Sequence, residues 1–135
     1  MNLERLFSDY GSTLADRDSN RTADFDGFPV TMLTDEFVGT LDSPAAVRSA
    51  LAQARDSYRQ WEITGTTHEL LAVEQVSEKI TRARVHWQYL GEDGRPLIAP
   101  TYEYLIRADR AGPRIHVVVS VHAEQQIAAL LPPHA

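Results

Sequence analysis

Hydrophobic and polar positions divide the chain into a helical first half and a sheet-forming second half. In the first half, apolar residues recur at the spacing of one helical face, which predicts amphipathic helices over residues 2–15 and 44–61. Ser43 and Pro44 mark the start of the second helix, because a hydroxyl caps free N–H groups and proline is tolerated at the first helical position. The apolar faces of both helices must therefore be buried against another part of the protein.

A polar stretch and two short strands separate these helices. Residues 16–27 are rich in Asp, Asn and Ser and predict a loop or broken turn, since these side chains favour turns over regular structure. Residues 28–34 and 36–40 contain several β-branched residues and are bounded by turn formers, which predicts a pair of strands.

From Gly65 onward the period of the pattern changes from 3.6 residues to two. Alternating segments are separated by turn sequences at residues 77–78, 91–94 and 109–113, and together they predict an antiparallel meander of long strands. Residues 123–131 are typical of a short closing helix, because two prolines follow them.

The segment 81–90, TRARVHWQYL, defines the two faces of the predicted sheet. Its apolar positions must meet the helices, because only that face is apolar enough to bury. Counting across the turns puts on this inner face Ala83, Val85, Trp87, Tyr89, Tyr102, Tyr104, Ile106, Ile115, Val117, Val119 and Val121. The same count puts on the outer face Arg82, Arg84, His86, Gln88, Glu103, Leu105, Arg107, His116, Val118 and Ser120.

This assignment depends on the pairing of residues across each turn. Side chains directly opposite one another in an antiparallel pair share a face, so each pair is a specific prediction. The pairs are Arg82 with Glu103, Tyr104 with Val117, and His68 with Trp87.

The composition of the chain excludes several classes of function and partner. With 135 residues, 43% of them hydrophobic, the chain suits one domain over residues 1–135. A net charge of -6 argues against nucleic acid, and the lack of cysteine leaves no disulfide or thiolate. No apolar run is long enough for a membrane span, and charges interrupt the N-terminal segment, unlike a signal peptide. We expect a cytoplasmic protein with neither membrane nor nucleic acid as partner.

No motif indicates a metal or cofactor. Residues 16–27 begin like a calcium-binding loop, but Arg21 stands where glycine is needed and Gly27 where a bidentate glutamate is needed. His116 and His122 are too far apart along one strand to share a metal without a third ligand. Phosphate-binding and nucleophile motifs are missing, so we expect no cofactor.

The order of elements resembles the NTF2-like (SnoaL-like, cystatin-like cone) superfamily. The resemblance is carried by the long strands ARVHWQYLGEDGRPL and TYEYLIRADRAGPRIHVVVSVH after two helices. It implies a bacterial member with an α+β fold, in which a curved antiparallel sheet wraps around N-terminal helices.

The resemblance also implies a cone-shaped pocket that binds a small apolar or aromatic molecule. Apolar pockets with a few polar groups are the usual ligand sites of proteins. For each aromatic ring the alternative is an ordinary core side chain. The expected lining residues are Tyr10, Tyr58, Trp61, His68, Trp87, Tyr102 and Tyr104.

The second hypothesis is an enzyme of the same fold, an isomerase, cyclase or hydrolase that uses an acid or base in the pocket. The third is a pure interaction module with a filled core. Ketosteroid-isomerase-like members use a first-helix tyrosine and an aspartate near the first strands, and Tyr10 and Asp35 occupy similar places. His68, opposite Trp87, is a further candidate base if it points inward. The weak catalytic candidates are therefore Tyr10, Asp35 and His68.

In the resembling family the convex sheet face packs on a second subunit, so a homodimer is expected. A solvated surface is the alternative for this face. The expected interface residues are Arg82, Arg84, His86, Glu103, Leu105, His116 and Val118.

Overall fold

Three helices and seven strands make up the computed structural model, which describes residues 1–15, 19–35, 38–57 and 63–121. The helices are α1 (Leu3–Ala15), α2 (Ser19–Ala23) and α3 (Pro44–Ser57). The strands are β1 (Asp26–Leu33), β2 (Val38–Leu41), β3 (Gly65–Gln75), β4 (Ile80–Leu90), β5 (Pro96–Ile98), β6 (Thr101–Asp109) and β7 (Gly112–Val121).

The described strands form one sheet in the order β2-β1-β7-β6-β4-β3, with β5 paired to β4. All neighbours are antiparallel except β1 and β7, which run parallel. Helix α1 lies against this sheet and contacts β3 most closely. The α+β prediction is therefore confirmed. None of the helices in the described ranges is long and apolar enough to cross a membrane.

Side chains cap both long helices at their first turns. Asn2 Oδ1 accepts a hydrogen bond from the Arg5 N–H at 3.0 Å, and Ser43 Oγ accepts one from the Ala46 N–H at 3.2 Å. These acceptors satisfy N–H groups that have no partner within the helix. The predicted start of the second helix at Pro44 is confirmed, and its predicted end lies outside the described residues.

The prediction of a loop or broken turn over residues 16–27 is wrong in part. This region contains the short helix α2 and the first residues of β1. Within α2, the Thr22 hydroxyl donates a buried hydrogen bond to Thr13 Oγ1 of α1 at 2.9 Å. A buried hydrogen bond between two threonines thus stabilises a helix that the polar composition did not indicate.

The predicted faces of β4 are confirmed. Ala83, Val85 and Trp87 are fully buried on the inner face, whereas Arg82 is exposed on the outer face. Strict alternation along this strand leaves no register in which the charged residues are inside.

The predicted pairing of β4 with β6 is displaced by two residues. Arg82 lies opposite Leu105 rather than Glu103, and Ala83 lies opposite Tyr104. Leu90 pairs with Pro96 rather than Arg95, which displaces the pairing by one residue, and an irregularity between Tyr89 and Leu90 adds the second. A shift of two residues keeps every side chain on its predicted face, because side chains alternate with a period of two.

The pairing of β6 with β7 corrects part of the predicted partition. Ile106 lies opposite Ile115 as predicted, but Leu105 lies opposite Val117, so a β-bulge leaves His116 without a partner. The bulge moves each later residue of β7 to the other face. Val118, predicted in the outer interface, is 6% exposed and belongs to the core.

The same correction applies to the neighbours of Val118. The residues now aligned with the outer face are Val117, Val119 and Val121, whereas Ser120 aligns with Tyr102 of the inner face.

His68 lies opposite Trp87 as predicted, although the turn differs from the expected one. The Val76 N–H bonds to the Ile80 carbonyl at 2.9 Å, which makes the loop one residue longer. A bulge at Leu71 removes the extra residue, so the register is restored at His68.

Helix α1 approaches the sheet closely at Gly11. A methyl group there would overlap Thr66 Oγ1 and come within 2.9 Å of the Trp87 ring. Phe7, one turn earlier, is fully buried and packs edge-on against Trp87 with ring centroids 6.1 Å apart. The absence of a side chain at Gly11 therefore determines how deeply the helix packs.

We predict that Gly11→Ala destabilises the protein, although Ala is favoured over Gly within helices by about 1 kcal/mol. Overpacking against Trp87 and Thr66 should outweigh this gain, with a net loss of about 1–3 kcal/mol in the free energy of unfolding by urea denaturation. Gly65→Ala is the matched control, because its methyl would make only ordinary contact with Leu90 at 3.7 Å. A stabilised Gly11→Ala variant would contradict the close approach.

Candidate functional site

A carboxyl group lies on the inner face of the sheet at the start of β1. Asp26 aligns with the buried Ile115, and it alternates along β1 with Gly27 so that it shares a face with the buried Val30. Asp26 itself is partly buried. Among the described acidic side chains, it is the one that faces the helices.

Burial changes the acidity of this group. Loss of hydration raises the pKa of Asp26 from 3.8 to about 7, because an ionised carboxylate is disfavoured away from water. No described side chain or backbone N–H donates a hydrogen bond to its oxygens. Near neutral pH this carboxyl is therefore divided between its protonated and ionised forms.

Tyrosine rings from two elements, α1 and β6, lie close to Asp26. Burial raises the pKa of Tyr10 well above its usual value, and the negative charge of Asp26 raises it further. The pKa of Tyr104 is raised by burial first, then by Tyr10 and Tyr102, and to a smaller extent by Asp26. These hydroxyls therefore stay protonated and remain available as hydrogen-bond donors.

The floor of the site is built around Trp87. Its indole Nε1–H donates a buried hydrogen bond to the Tyr104 hydroxyl at 2.9 Å. Tyr10 and Tyr89 pack against the same indole with ring centroids 6.1 and 6.2 Å away. Trp87 and Tyr104 are buried, whereas Tyr10, Tyr89 and Tyr102 remain partly exposed on the inner face.

Partly exposed apolar side chains pack on the buried core around this floor, and we call this set the rim. Apolar side chains that pack on the core while keeping some exposure are Tyr10, Phe25, Phe28, Met32, Leu41, Leu70, Tyr89 and Tyr102. Such a set can contact a flat apolar molecule, while the hydroxyls and the carboxyl of Asp26 supply directional contacts.

The predicted site residues fall into three groups. Tyr10, Trp87, Tyr102 and Tyr104 come together on the inner face, as expected. His68 also faces inward, and its ring lies 5.8 Å from that of Trp87. Tyr58 and Trp61 lie outside the described residues.

His68 is held by a helix residue rather than left free beside Asp26. Its Nε2 lies 2.9 Å from Glu4 Oε2 at the start of α1, and 13% of its side chain is exposed. Its ring also packs against Phe7 with centroids 6.3 Å apart. These contacts show that His68 lies where helix α1 packs on strand β3.

Asp35 does not lie with Tyr10. It is exposed at the bend after β1, whereas Asp26 stands at the opposite end of that strand. Sequence reasoning missed Asp26, because the polar residues around it indicated a loop. The signal was its spacing, since Asp26, Phe28 and Val30 are two residues apart and share one face of a strand.

The predicted interface residues lie on the outer face, apart from Val118. Arg82 Nη2 contacts Glu103 Oε1 at 3.2 Å, and His86 Nδ1 lies 3.0 Å from Thr101 Oγ1. Leu105 and Val117 stand side by side across β6 and β7. In the described ranges, no three His, Asp or Glu side chains converge as metal ligands.

The chain matches a family model described as NTF2-like protein (DUF6841) over residues 2–123. Among curated proteins, no sequence matches it. The resemblance to NTF2-like proteins that the strand pattern indicated is thereby confirmed.

Solved structures of this fold superpose on most of the chain. A cystatin-like protein of unknown function from Nostoc punctiforme has a TM-score of 0.67 at 13% identity, covering 94% of this chain and 80% of its own. An NTF2-like protein from Novosphingobium aromaticivorans has a TM-score of 0.65 at 18% identity, with 97% and 87% covered. A ketosteroid isomerase-like protein from Erwinia carotovora atroseptica has a TM-score of 0.64 at 11% identity, with 87% and 90% covered.

We predict that Asp26→Asn stabilises the protein in a pH-dependent way. The pKa is raised in the folded state, so burial of the ionised carboxyl costs stability fully above about pH 7 and not at all once both states are protonated. The variant should gain about 1–4 kcal/mol in the free energy of unfolding near pH 8 and little near pH 4, since partial exposure reduces the full cost.

Urea denaturation at both pH values measures this difference. Asp35→Asn is the matched control, because substitution of an exposed carboxyl should change stability little. Equal effects of Asp26→Asn on the free energy of unfolding at the two pH values would show that burial does not raise the pKa of the Asp26 carboxyl.

Proposed function

The chain belongs to the NTF2-like family of DUF6841 proteins, and on that premise we propose that it binds a small apolar or aromatic molecule in the cone beside Asp26. The observation that carries the proposal is a partly buried carboxyl beside Tyr10 and Tyr104, to which no described residue donates a hydrogen bond. A core needs no such group, because an unsatisfied polar side chain costs stability.

The chemistry of the rim defines the ligand. Aromatic faces of Tyr10, Tyr89 and Tyr102 suit a flat ring system, and the Tyr10 hydroxyl suits a ligand oxygen. Among the described side chains, none of the Arg or Lys residues is on the inner face, while Asp26 carries part of a negative charge. A neutral ring compound with a carbonyl or hydroxyl oxygen therefore fits better than a carboxylate.

A second candidate function is proton transfer on such a ligand. It is favoured by the pKa of about 7 at Asp26, since a group that titrates near neutral pH both accepts and donates a proton. Tyr10 would donate a hydrogen bond to an oxygen that gains charge during the reaction, as a neutral hydroxyl does in an oxyanion hole. The solved ketosteroid isomerase-like neighbour is consistent with this reading.

The outer face supports a proposal of homodimer formation. A half-buried apolar band crosses it through Leu33, Leu105, Val117 and Val119, and the exposed Val38 extends it to the sheet edge. Arg82, Arg84, His86 and Glu103 border this band on the adjoining strands. An apolar band with a charged border is the usual composition of a protein interface. His116 is also part of the proposed interface.

The cytoplasmic location of the protein remains a prediction.

We predict that a neutral ring ketone or phenol raises the thermal midpoint more than its carboxylate analogue of the same size. The panel contains steroids, polycyclic aromatic compounds and fatty acids, each with a neutral and an acidic form. At a concentration of 100 times Kd, a ligand that binds only the folded state stabilises it by about 2.7 kcal/mol. Asp26→Asn should reduce the preference for the neutral form, because it removes the repelling charge.

Tyr10→Phe is the matched variant for the hydroxyl, since it keeps the ring and removes the donor. No midpoint shift with any compound of the panel would contradict both candidate functions. With a ligand in hand, deuterium exchange at carbon next to its carbonyl separates them: exchange that Asp26→Asn abolishes supports proton transfer, and binding without exchange supports a binding protein alone.

We predict that the wild-type protein sediments with the mass of two chains at micromolar concentration and that Leu105→Glu sediments as one. A charge in the middle of an apolar interface should prevent association, because it would be buried without a partner. Val73→Glu is the matched control, since this exposed valine lies away from the outer face. A wild-type protein that sediments as one chain would overturn the dimer.

A further inference from the structure

The start of β1 joins β7 through a short contact that is separate from the rest of their ladder. The Ile115 N–H donates to the Phe25 carbonyl at 2.8 Å, and Asp26 aligns with Ile115. The next aligned pair is Thr31 with Val117, so five residues of β1 span two residues of β7. The backbone of Asp26 is therefore held at one point rather than by a continuous ladder.

His116 covers this contact from the outer face. It is the bulged residue of β7, and its ring lies directly over Gly27. A methyl group at Gly27 would overlap the imidazole, so only glycine lets the ring come so near the backbone. Gly27 follows Asp26, so the imidazole and the carboxyl lie on opposite faces of the same backbone segment.

The imidazole is fixed from the turn between β6 and β7. His116 Nε2 lies 2.8 Å from Asp109 Oδ2, and both side chains are about three-quarters buried, with 25% and 23% exposed. Arg107 Nη1 lies 3.2 Å from the other oxygen of Asp109. Asp109, which also forms an ion pair with Arg107, thus anchors the imidazole ring over Gly27.

We propose that His116 is a positioning residue for Asp26: its ring, anchored by Asp109, holds Gly27 against β7 and so keeps the neighbouring carboxyl on the inner face. The inference rests on the proposed function in assigning Asp26 to the ligand site. It acts through the backbone, because His116 itself faces away from the cone. The bulge in β7 then has a purpose beyond register, since it supplies the residue that covers Gly27.

The test is a carbon-13 NMR titration of the Asp26 carboxyl, which needs no ligand. In His116→Ala the start of β1 is released and Asp26 becomes more hydrated, so its pKa should fall by about one unit or more toward the ordinary value. His86→Ala is the matched control, because His86 is another half-buried histidine of the outer face and is bonded to Thr101. It should leave the Asp26 titration unchanged.

Two further variants separate positioning from general stability. His116→Gln keeps a donor that can reach Asp109, so it should restore most of the wild-type titration of Asp26. Gly27→Ala should lower the thermal midpoint of the wild-type protein and lower it less in the His116→Ala background, where the ring is gone.

An Asp26 pKa that stays unchanged in a folded His116→Ala variant overturns the proposal. If that variant does not fold, His116→Gln and Asp109→Asn are titrated instead. A wild-type titration in His116→Gln with a lowered pKa in Asp109→Asn supports the anchor, and an unchanged pKa in Asp109→Asn overturns it. A protein that binds no compound of the panel but shows the His116 effect refutes the proposed function alone.

Discussion

The buried indole of Trp87 is the group on which the rest of the structure depends. Its N–H is removed from water and requires an acceptor, which the hydroxyl of Tyr104 supplies on the neighbouring strand. Because donor and acceptor are both buried, β4 and β6 are fixed in one register. Helix α1 then packs on the same ring through Phe7 and the bare backbone of Gly11. Floor, helix and sheet are thus joined at one side chain.

Sequence alternation predicts a face reliably only where polar and apolar residues differ. Along β4 the charged residues alternate with buried ones, so even a two-residue error in pairing left the faces correct. In β7 the run Val117, Val118, Val119 offers no such contrast, and a bulge at His116 moved Val118 into the core. A bulge depends on contacts across the sheet, which local pattern does not contain.

The sequence predicted the aromatic residues of the candidate site, but it did not predict the carboxyl group of Asp26. Tyr10 and Tyr104 follow from the helical stripe and the strand alternation, since both patterns put rings inside. Asp26 was hidden among polar residues that favour turns, although it shares the parity of Val30. What raises its pKa is burial against distant elements, a property that only the assembled fold reveals.

The energetics of Asp26 connect this acid to function. Ionising a half-buried carboxyl without a donor is unfavourable, and no described contact in the site compensates for it. An amide of the same shape would avoid the charge, and no described residue donates a hydrogen bond to the carboxyl. Sites that trade stability for a charged or reactive group are typical of ligand binding and catalysis. The position that weakens this fold is therefore the one at which the proposed ligand, or a proton on it, would supply a partner that no described residue provides.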